Sequence, residues 1–593
     1  MIASPTVRRL QALLLVLPLL AAAQVAGAAE DSAAFRALYE KEWLFRTGEF
    51  PGLGRRGNEP KPVDRLTRVS EEDQRRRYEF WRGVREDLDR IACERLEREE
   101  CIDYRIFRRQ MDQFIDDYET RAYLIPFNSD WSFWAGWARM AEGSNFSRPA
   151  DYEAYLARLG ELPFVMDEYI ALMRTGLETG MTQPRVILDG RDQTIRAQIV
   201  DDVADSPFYQ PFAALPEDWS AERREALRAR ARTVIGEEVV PAYRKLLAFF
   251  LDEYAPGARE TLGATALPGG ERFYRAQIRR YVTRDMSAEE IHAIGLSEVA
   301  RIRAEMDQII NEVEFDGDFE AFLAFLREDE RFYAKTPKEL LALASYVAKK
   351  VDGRLPSMFG HLPRQPYGVA PVPEEIAPYF TAGRYVGAPA EARRGGYYWV
   401  NTHQLGSRTL YTLAALTLHE GAPGHHLQAA LALEQRERPS FRRNAYISAY
   451  GEGWALYAEK LGVEMDIYET PYEHFGRLTY EMWRACRLVI DTGIHALGWT
   501  RQQALDYLAG NTALSLHEVS TEVDRYISWP AQALSYKIGE YTIWALRRDA
   551  EARLGADFDL RDFHDFILGL GSVPLDVLSD EVERWVAGQV DGA

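Results

Sequence analysis

Histidine and glutamate crowd one short stretch of an otherwise apolar segment. Residues 411–430 read YTLAALTLHEGAPGHHLQAA, and three of the chain's ten histidines, His419, His425 and His426, fall within eight residues. A helical His-Glu pair followed by another His is how zinc peptidases assemble a site: two imidazoles hold the ion and the Glu serves as general base. The usual second His stands four residues after the first, one turn along the same face, but here that position is Pro423. On an ideal helix His425 would point about 120° away from His419, and His426 would return to the same face about 10.5 Å further along the axis. Pro423 cannot donate a backbone hydrogen bond, and Gly421 and Gly424 flank it loosely. A bulge that absorbs two extra residues therefore predicts His425 as the second ligand, with His426 the alternative if the register differs by one. The bland reading is that both histidines cap a broken helix. It leaves Glu420, on an apolar stretch, without an explanation.

A third ligand is needed. Downstream, AYGEGWALYAE (residues 449–459) is an apolar helical stretch with two carboxylates. Glu452 lies 33 residues after His419, far enough for a second helix to return beside the first, and its small and aromatic neighbours make an unpaired charge there costly. Glu452 is the expected third ligand of a single zinc ion. Glu459, two turns on, could orient a ligating imidazole, or it could be a solvated charge beside Lys460.

The elements around these residues read as helix almost everywhere. Ser70-Glu71-Glu72-Asp73 resembles a capping box, and behind it Trp81, Val84, Leu88 and Ile91 recur at helical spacing. Ser287, Thr336 and Thr500 open further helices, Thr336 with Pro337 at the first helical position. One region departs from this: residues 354–402 carry seven prolines, and Tyr397–Asn401 within GGYYWVNT is the best strand. The expected fold is mainly α (α+β), a large helical body with a small sheet lining a cleft. Its organisation would be a leader over residues 1–28, an N-terminal helical region over 29–355 and a metal-site region over 356–593, the last two packed as one catalytic body.

The leader is read from Arg8-Arg9, the apolar run Leu10–Ala23 and the small residues Ala26-Gly27-Ala28. That run is short for a membrane span, which needs about 20 residues. No Cys follows the cleavage site, so the expectation is a soluble exported protein, periplasmic or secreted, with an uncleaved anchor as the alternative. The sequence does not separate Sec from twin-arginine export. Of the three cysteines, Cys93 and Cys101 could pair only if a turn lies between them; on one continuous helix they would stand about 12 Å apart, too far for a disulfide, and the unpaired state is expected. With 47% hydrophobic and 28% charged residues the composition is globular, and a net charge of −20 argues against a nucleic-acid partner.

HEGAPGHHLQ followed by GEGWALYAEKLG resembles a bacterial family of unknown function numbered 885, grouped with gluzincin-type zinc metallopeptidases. The resemblance continues through RLVIDTGIHALGWT and PAQALSYKIGEYTIWALR and extends over nearly the whole mature chain. It implies that the His after Pro-Gly is the fixed one, in favour of His425, and that the departure from the ordinary zinc-peptidase spacing is a family trait. It also implies that an edge strand upstream of the metal helix pairs with substrate backbone, which places Tyr398 and Asn401 as substrate-binding residues; the alternative is a core strand without ligand.

Zinc would acidify a water and polarise the scissile carbonyl, and Glu420 would take the water's proton and pass it to the leaving amine. For the charge that develops on the carbonyl oxygen, Tyr536 is the first candidate donor and His495 the second, with Asp491 one turn earlier able to hold its ring. Arg525 could bind a substrate carboxylate bidentately. Each has a structural alternative: a core phenol, a structural Asp-His pair, a surface charge. The expected function is hydrolysis of short peptides; the alternatives are a zinc hydrolase of another amide or ester, and a silent peptide-binding protein on the same fold.

Overall fold

A computed structural model describes residues 5–55, 63–142, 144, 146–374, 376–389 and 392–592. Residues 1–4 of the expected leader lie outside the described set; the backbone of the rest begins the first helix. The molecule is mainly helical with one small sheet, the class expected from the sequence. It divides into two compact units, one of Met1–Phe127, Trp131–Ala258 and Pro439–Arg442, the other of Asn128–Asp130, Arg259–Arg438 and Arg443–Ala593. Among the described residues no helix is long and apolar enough to cross a membrane.

The first unit is built on α1 (Pro5–Glu49), α2 (Glu71–Leu88), α3 (Arg98–Glu119) and α4 (Pro149–Thr179). Ser70 caps α2 by accepting from the Asp73 amide, and Trp81, Val84 and Leu88 form its buried stripe. Trp81 also donates its indole N–H to the buried Glu42, at 3.0 Å. Cys93 and Cys101 are joined in a disulfide, against the expectation. The reason is local: α2 ends at Leu88 and α3 begins only at Arg98, so the chain turns between them and brings the two Cα atoms to 5.1 Å.

The second unit holds all the candidate site residues. The helices that bear on the site are α5 (Ala288–Glu312), α6 (Leu413–Glu420), α7 (His425–Glu434), α8 (Ser448–Glu464), α9 (Pro471–His495), α10 (Leu516–Ser528) and α11 (Leu534–Leu554). Ser287 and Glu290 form the capping box that starts α5. Helices α5 and α9 meet closely at Gly295, where a Cβ would stand 2.8 Å from Leu488 and Val489. The sheet consists of β1 (Tyr367–Pro371), β2 (Gly383–Val386) and β3 (Gly396–Val400) in the order β1-β3-β2, β1 parallel and β2 antiparallel to β3. Tyr398 and Val400 of β3 pack into a core with Leu413, Ala415 and Leu416, so the sheet lies on the helix that carries His419.

Candidate metal centre

Helix α6 ends on His419 and Glu420, both buried. The expected bulge inside one continuous helix is instead a break between two helices, because Pro423 has no N–H to donate to the helical ladder. Across the break the Gly424 amide reaches back to the carbonyl of Leu418 at 3.0 Å, a span of six residues where a helix would use four, so two residues are taken up. Gly424 is required there: a Cβ would collide with the carbonyls of Leu418 and His419. The loop is held from the other side by the Trp454 indole, which donates to the Pro423 carbonyl at 2.8 Å. Helix then resumes at His425.

Helix α8 supplies the carboxylates. It crosses α11 at Gly453 and Gly539, where a Cβ on either would run into the other's backbone. Glu452, beside Gly453, is thereby brought under the two imidazoles. Its Oε2 lies 3.6 Å from His419 Nε2 and 3.4 Å from His425 Nε2. The rings stand at 90° with centroids 4.8 Å apart, so both present the same nitrogen to one oxygen. The three donor atoms lie within 4.8 Å of one another. On the far side of His419, Nδ1 bonds Glu459 Oε1 at 2.7 Å. An ionised carboxylate only accepts, so Nδ1 carries a proton and directs the ring. Glu459 is buried, not a solvated charge, and Arg484 lies 3.7 Å from the same oxygen.

The electrostatics favour a positive charge at this point. Burial alone would strip His419 of its proton, but the hydrogen bonds to Glu452 and Glu459 and the charges of Glu459 and Glu420 outweigh it and push its pKa up to about 10. Burial would likewise raise the Glu452 carboxyl; the two histidines hold it well below the usual range instead. Glu420 points beside this cluster and accepts the backbone N–H of Tyr385, on β2, through Oε2 at 2.7 Å.

Other candidates fall elsewhere. His426 faces the sheet, its ring 4.4 Å from that of Tyr367 and its Nδ1 3.3 Å from the Tyr385 hydroxyl, and burial lowers its pKa to about 4. It is not among the grouped donors. His495 and Asp491 are not a pair. His495 Nδ1 accepts from the Ala264 amide at 3.0 Å and its Nε2 lies 2.9 Å from the Tyr526 carbonyl, to which it must donate, so no ring atom is left for a substrate. Asp491 accepts from the Tyr274 hydroxyl at 2.6 Å and from the Ala531 amide.

Strand β3 is central and paired on both sides, so it cannot receive a substrate strand as expected; the sheet's edges are β1 and β2. Tyr398 is fully buried in the core. Asn401 is equally buried and spends its amide on the carbonyls of Ala377, Phe380 and Thr381 and its oxygen on the His403 amide. Tyr536, one turn before Gly539 on α11, interacts electrostatically with Tyr446 beside Glu452, and its hydroxyl lies 3.5 Å from Arg525 Nη2.

Two contributors carry no sequence signal. Tyr446, in the irregular segment before α8, donates its hydroxyl to Glu452 Oε1 at 2.9 Å, while the residue as a whole is 64% exposed. The Tyr385 backbone amide on Glu420 depends on strand placement, to which residue type is silent.

A family model described as "Bacterial protein of unknown function (DUF885)" matches residues 52–582. A crystal structure from Colwellia psychrerythraea, described as a "putative lipoprotein", superposes with a TM-score of 0.85 at 27% identity, over 95% of this chain and 99% of that one. A structure from Shewanella oneidensis, described as a "putative lipoprotein of unknown function", has a TM-score of 0.71 at 19% identity, over 93% and 99% of the two chains, and shares the fold. No match was found among curated proteins.

Proposed function

The chain belongs to the DUF885 family of bacterial proteins, and for it we propose the function of an exported zinc-dependent peptidase acting on short peptides. The observation that carries the reading is the convergence of two imidazole nitrogens on one carboxylate oxygen. Tetrahedral zinc ligands at about 2.0–2.1 Å from the ion stand about 3.3–3.5 Å from one another, and the two nitrogens lie 3.4 and 3.6 Å from the Glu452 oxygen. Two nitrogens and one oxygen, with a position left open, is the donor set of catalytic rather than structural zinc. His419, His425 and Glu452 would hold the ion, and Glu459 would fix the His419 ring through its outer nitrogen. When bound, zinc supplies Lewis acidity, which acidifies a water and polarises the scissile carbonyl.

The chain's own groups do the rest. Glu420 has one oxygen anchored by the Tyr385 amide and the other left to take a proton from the attacking water and deliver it to the departing nitrogen. Tyr536 accepts from Arg525, which leaves its own proton to donate to the carbonyl oxygen as charge develops there. Tyr446 holds Glu452 from the solvent side. Export is supported by the leader-like N-terminus and by the description of both solved relatives as lipoproteins.

The test is metal analysis with peptide-library cleavage on wild type, Glu420→Gln and His425→Ala. Glu420→Gln is expected to keep one zinc per chain and to lose about 10²- to 10⁴-fold in rate; His425→Ala is expected to lose the metal. Full zinc in His425→Ala would refute the ligand set. Zinc with no cleavage of any peptide, and hydrolysis of a simple ester instead, would move the protein to the wider class of zinc hydrolases; zinc with no hydrolysis at all would make it a binding protein.

A further inference from the structure

Next to Tyr536 the second unit gathers guanidinium groups that its carboxylates do not balance. Arg487, on α9, is 2% exposed. Its Nε donates to the Tyr526 hydroxyl at 3.1 Å and its Nη2 to Glu522 at 2.9 Å. Among the described residues its Nη1 has no hydrogen-bond partner. The guanidinium lies over the Tyr536 ring, 4.3 Å from its centroid. Arg525, on α10, reaches the same place from the other side. It donates to Gln532 at 2.9 Å and to the Tyr536 hydroxyl at 3.5 Å, and meets the second oxygen of Glu522 at 3.4 Å. Its Nε is also without a partner among the described residues, and its side chain is 20% exposed. One carboxylate thus bridges two arginines, and a buried donor that finds no acceptor is costly.

Two other carboxylates are in reach, Asp130 of Arg525 and Glu518 of Arg487, but Glu518 is shared with Arg408 and Arg484, so positive charge stays in excess. Burial and the charge of Glu522 push the Glu518 pKa up to about 7, so it is only partly ionised at neutral pH. In a chain of net charge −20, a buried excess of positive charge is placed against the general trend of the molecule. It sits beside Tyr536, which interacts electrostatically with Tyr446, the residue that donates to Glu452. A free guanidinium edge next to a second arginine suits a planar anion with two oxygens.

Resting on the peptidase reading above, we propose that Arg487 and Arg525 form a carboxylate pocket that receives the C-terminus of the substrate, so that the protein releases a short fragment from the carboxyl end of peptides. The hydrolysis consumes one water: its oxygen joins the scissile carbonyl carbon, the C–N bond breaks, and a proton goes to the amine of the released fragment. An acidic side chain is the other source of a carboxylate, and the experiment separates the two.

Peptides with neutral side chains are compared as free acids and as C-terminal amides, with a series lengthened at the N-terminus and an amidated series carrying one Glu. The free acids are expected to be cut on the order of 10- to 100-fold faster in kcat/KM than the amides. The cut should stay at a fixed distance from the C-terminus as the N-terminus grows. In Arg525→Gln the acid-to-amide ratio should fall towards one. Arg487→Lys gives a second variant that keeps the buried charge while losing the fork. Equal rates on acids and amides, or a cut counted from the N-terminus, overturn the proposal. Recovery of the amides by an internal Glu keeps the pocket but overturns its assignment to the C-terminus.

If no peptide is cut, the peptidase reading has failed and the pocket is judged by binding. Calorimetry of an N-acetyl tripeptide acid against its amide on Glu420→Gln then decides it. Preference for the acid keeps the pocket; equal or absent binding overturns it.

Discussion

Among the described residues, two groups of potential cation ligands in the second unit converge closely enough to hold an ion, and they are neutralised in opposite ways. Glu298, Glu481 and Glu540 surround Lys537, a fully buried residue whose ammonium lies 2.8 Å from Glu298, 2.9 Å from Glu481 and 2.8 Å from Glu540. Arg301 and Arg477 close the same network. At the other group, Glu452 has only the imidazoles of His419 and His425 as ion-pair partners among the described residues, and Glu420 and Glu459 stand close by. The first site carries its own cation on α11. The second is shaped for a positive charge: Arg484 reaches only its outer carboxylate, Glu459, and among the described residues Glu452 meets no cation except a proton on the imidazoles. A convergence of carboxylates is therefore not evidence of a metal site in itself; what distinguishes the two is whether the chain supplies the counter-charge.

The comparison is broken most directly at the lysine. Lys537→Met leaves three carboxylates, two of them buried, without their shared ammonium, and removal of one partner from such a network costs about 3–5 kcal/mol. Urea unfolding of the variant against wild type measures it. A loss below about 1 kcal/mol would mean that the three carboxylates are quenched by Arg301 and Arg477 alone.

Next in size is the effect of the ion on the histidine site. Zinc at one hundred times its Kd is expected to stabilise the wild type by about 2.7 kcal/mol, provided the unfolded chain does not bind it. The shift should vanish in His425→Ala and persist in His426→Ala, whatever packing stability that second variant loses. A zinc-dependent shift that survives His425→Ala but not His426→Ala would reverse the register of the break. A smaller effect is expected one layer out. Glu459→Gln keeps the hydrogen bond to His419 but not the charge, and should weaken zinc binding about 10-fold, the low end for partners that orient a ligand. Competition with a chromogenic chelator reads it, and unchanged affinity would return Glu459 to a purely structural role.

How far the sequence could be read depends on the range of the interaction concerned. Helix starts are local: a Ser or Thr, its partner three residues on and the apolar spacing behind it suffice, and α2 and α5 begin where Ser70 and Ser287 indicate. The His-Glu-Pro-Gly-His cluster is also local: counting residues around a proline favours His425 over His426, and His425 is the ring that stands beside Glu452. What failed depends on distant chain. Whether Tyr397–Asn401 lies at an edge or in the middle depends on β1, some thirty residues earlier, and alternating aromatic residues fit either place. The spacing of Asp491 and His495 puts them on one helical face, but each is claimed by a different neighbour, Tyr274 and Ala531 for one, Ala264 and Tyr526 for the other. Tyr446 bears no motif at all; only the fold brings its hydroxyl to Glu452.

Asp491 adds a third way to quench a buried carboxylate, and the smallest prediction. Among the described residues it meets neither a lysine nor an imidazole, only the Tyr274 hydroxyl and the Ala531 amide, and burial pushes its pKa up to about 7 against those two hydrogen bonds. An unfolded aspartate loses its proton near 3.9. Between about pH 4 and pH 7 the unfolded chain is therefore ionised at this residue while the folded chain keeps its proton, so the group's contribution to stability falls as pH rises through that window and is flat above it. Asp491→Asn removes the titration and keeps an acceptor for the Ala531 amide. Relative to wild type, the variant should gain about 1.4 kcal/mol of stability between pH 6 and pH 8. Unfolding curves of the two proteins at both pH values measure the difference. A constant offset would mean that the Asp491 carboxylate is ionised throughout and that its two hydrogen bonds suffice, in which case a buried carboxylate in this unit needs neither a cation nor a proton, and the contrast between the lysine-filled and histidine-lined sites loses its physical basis.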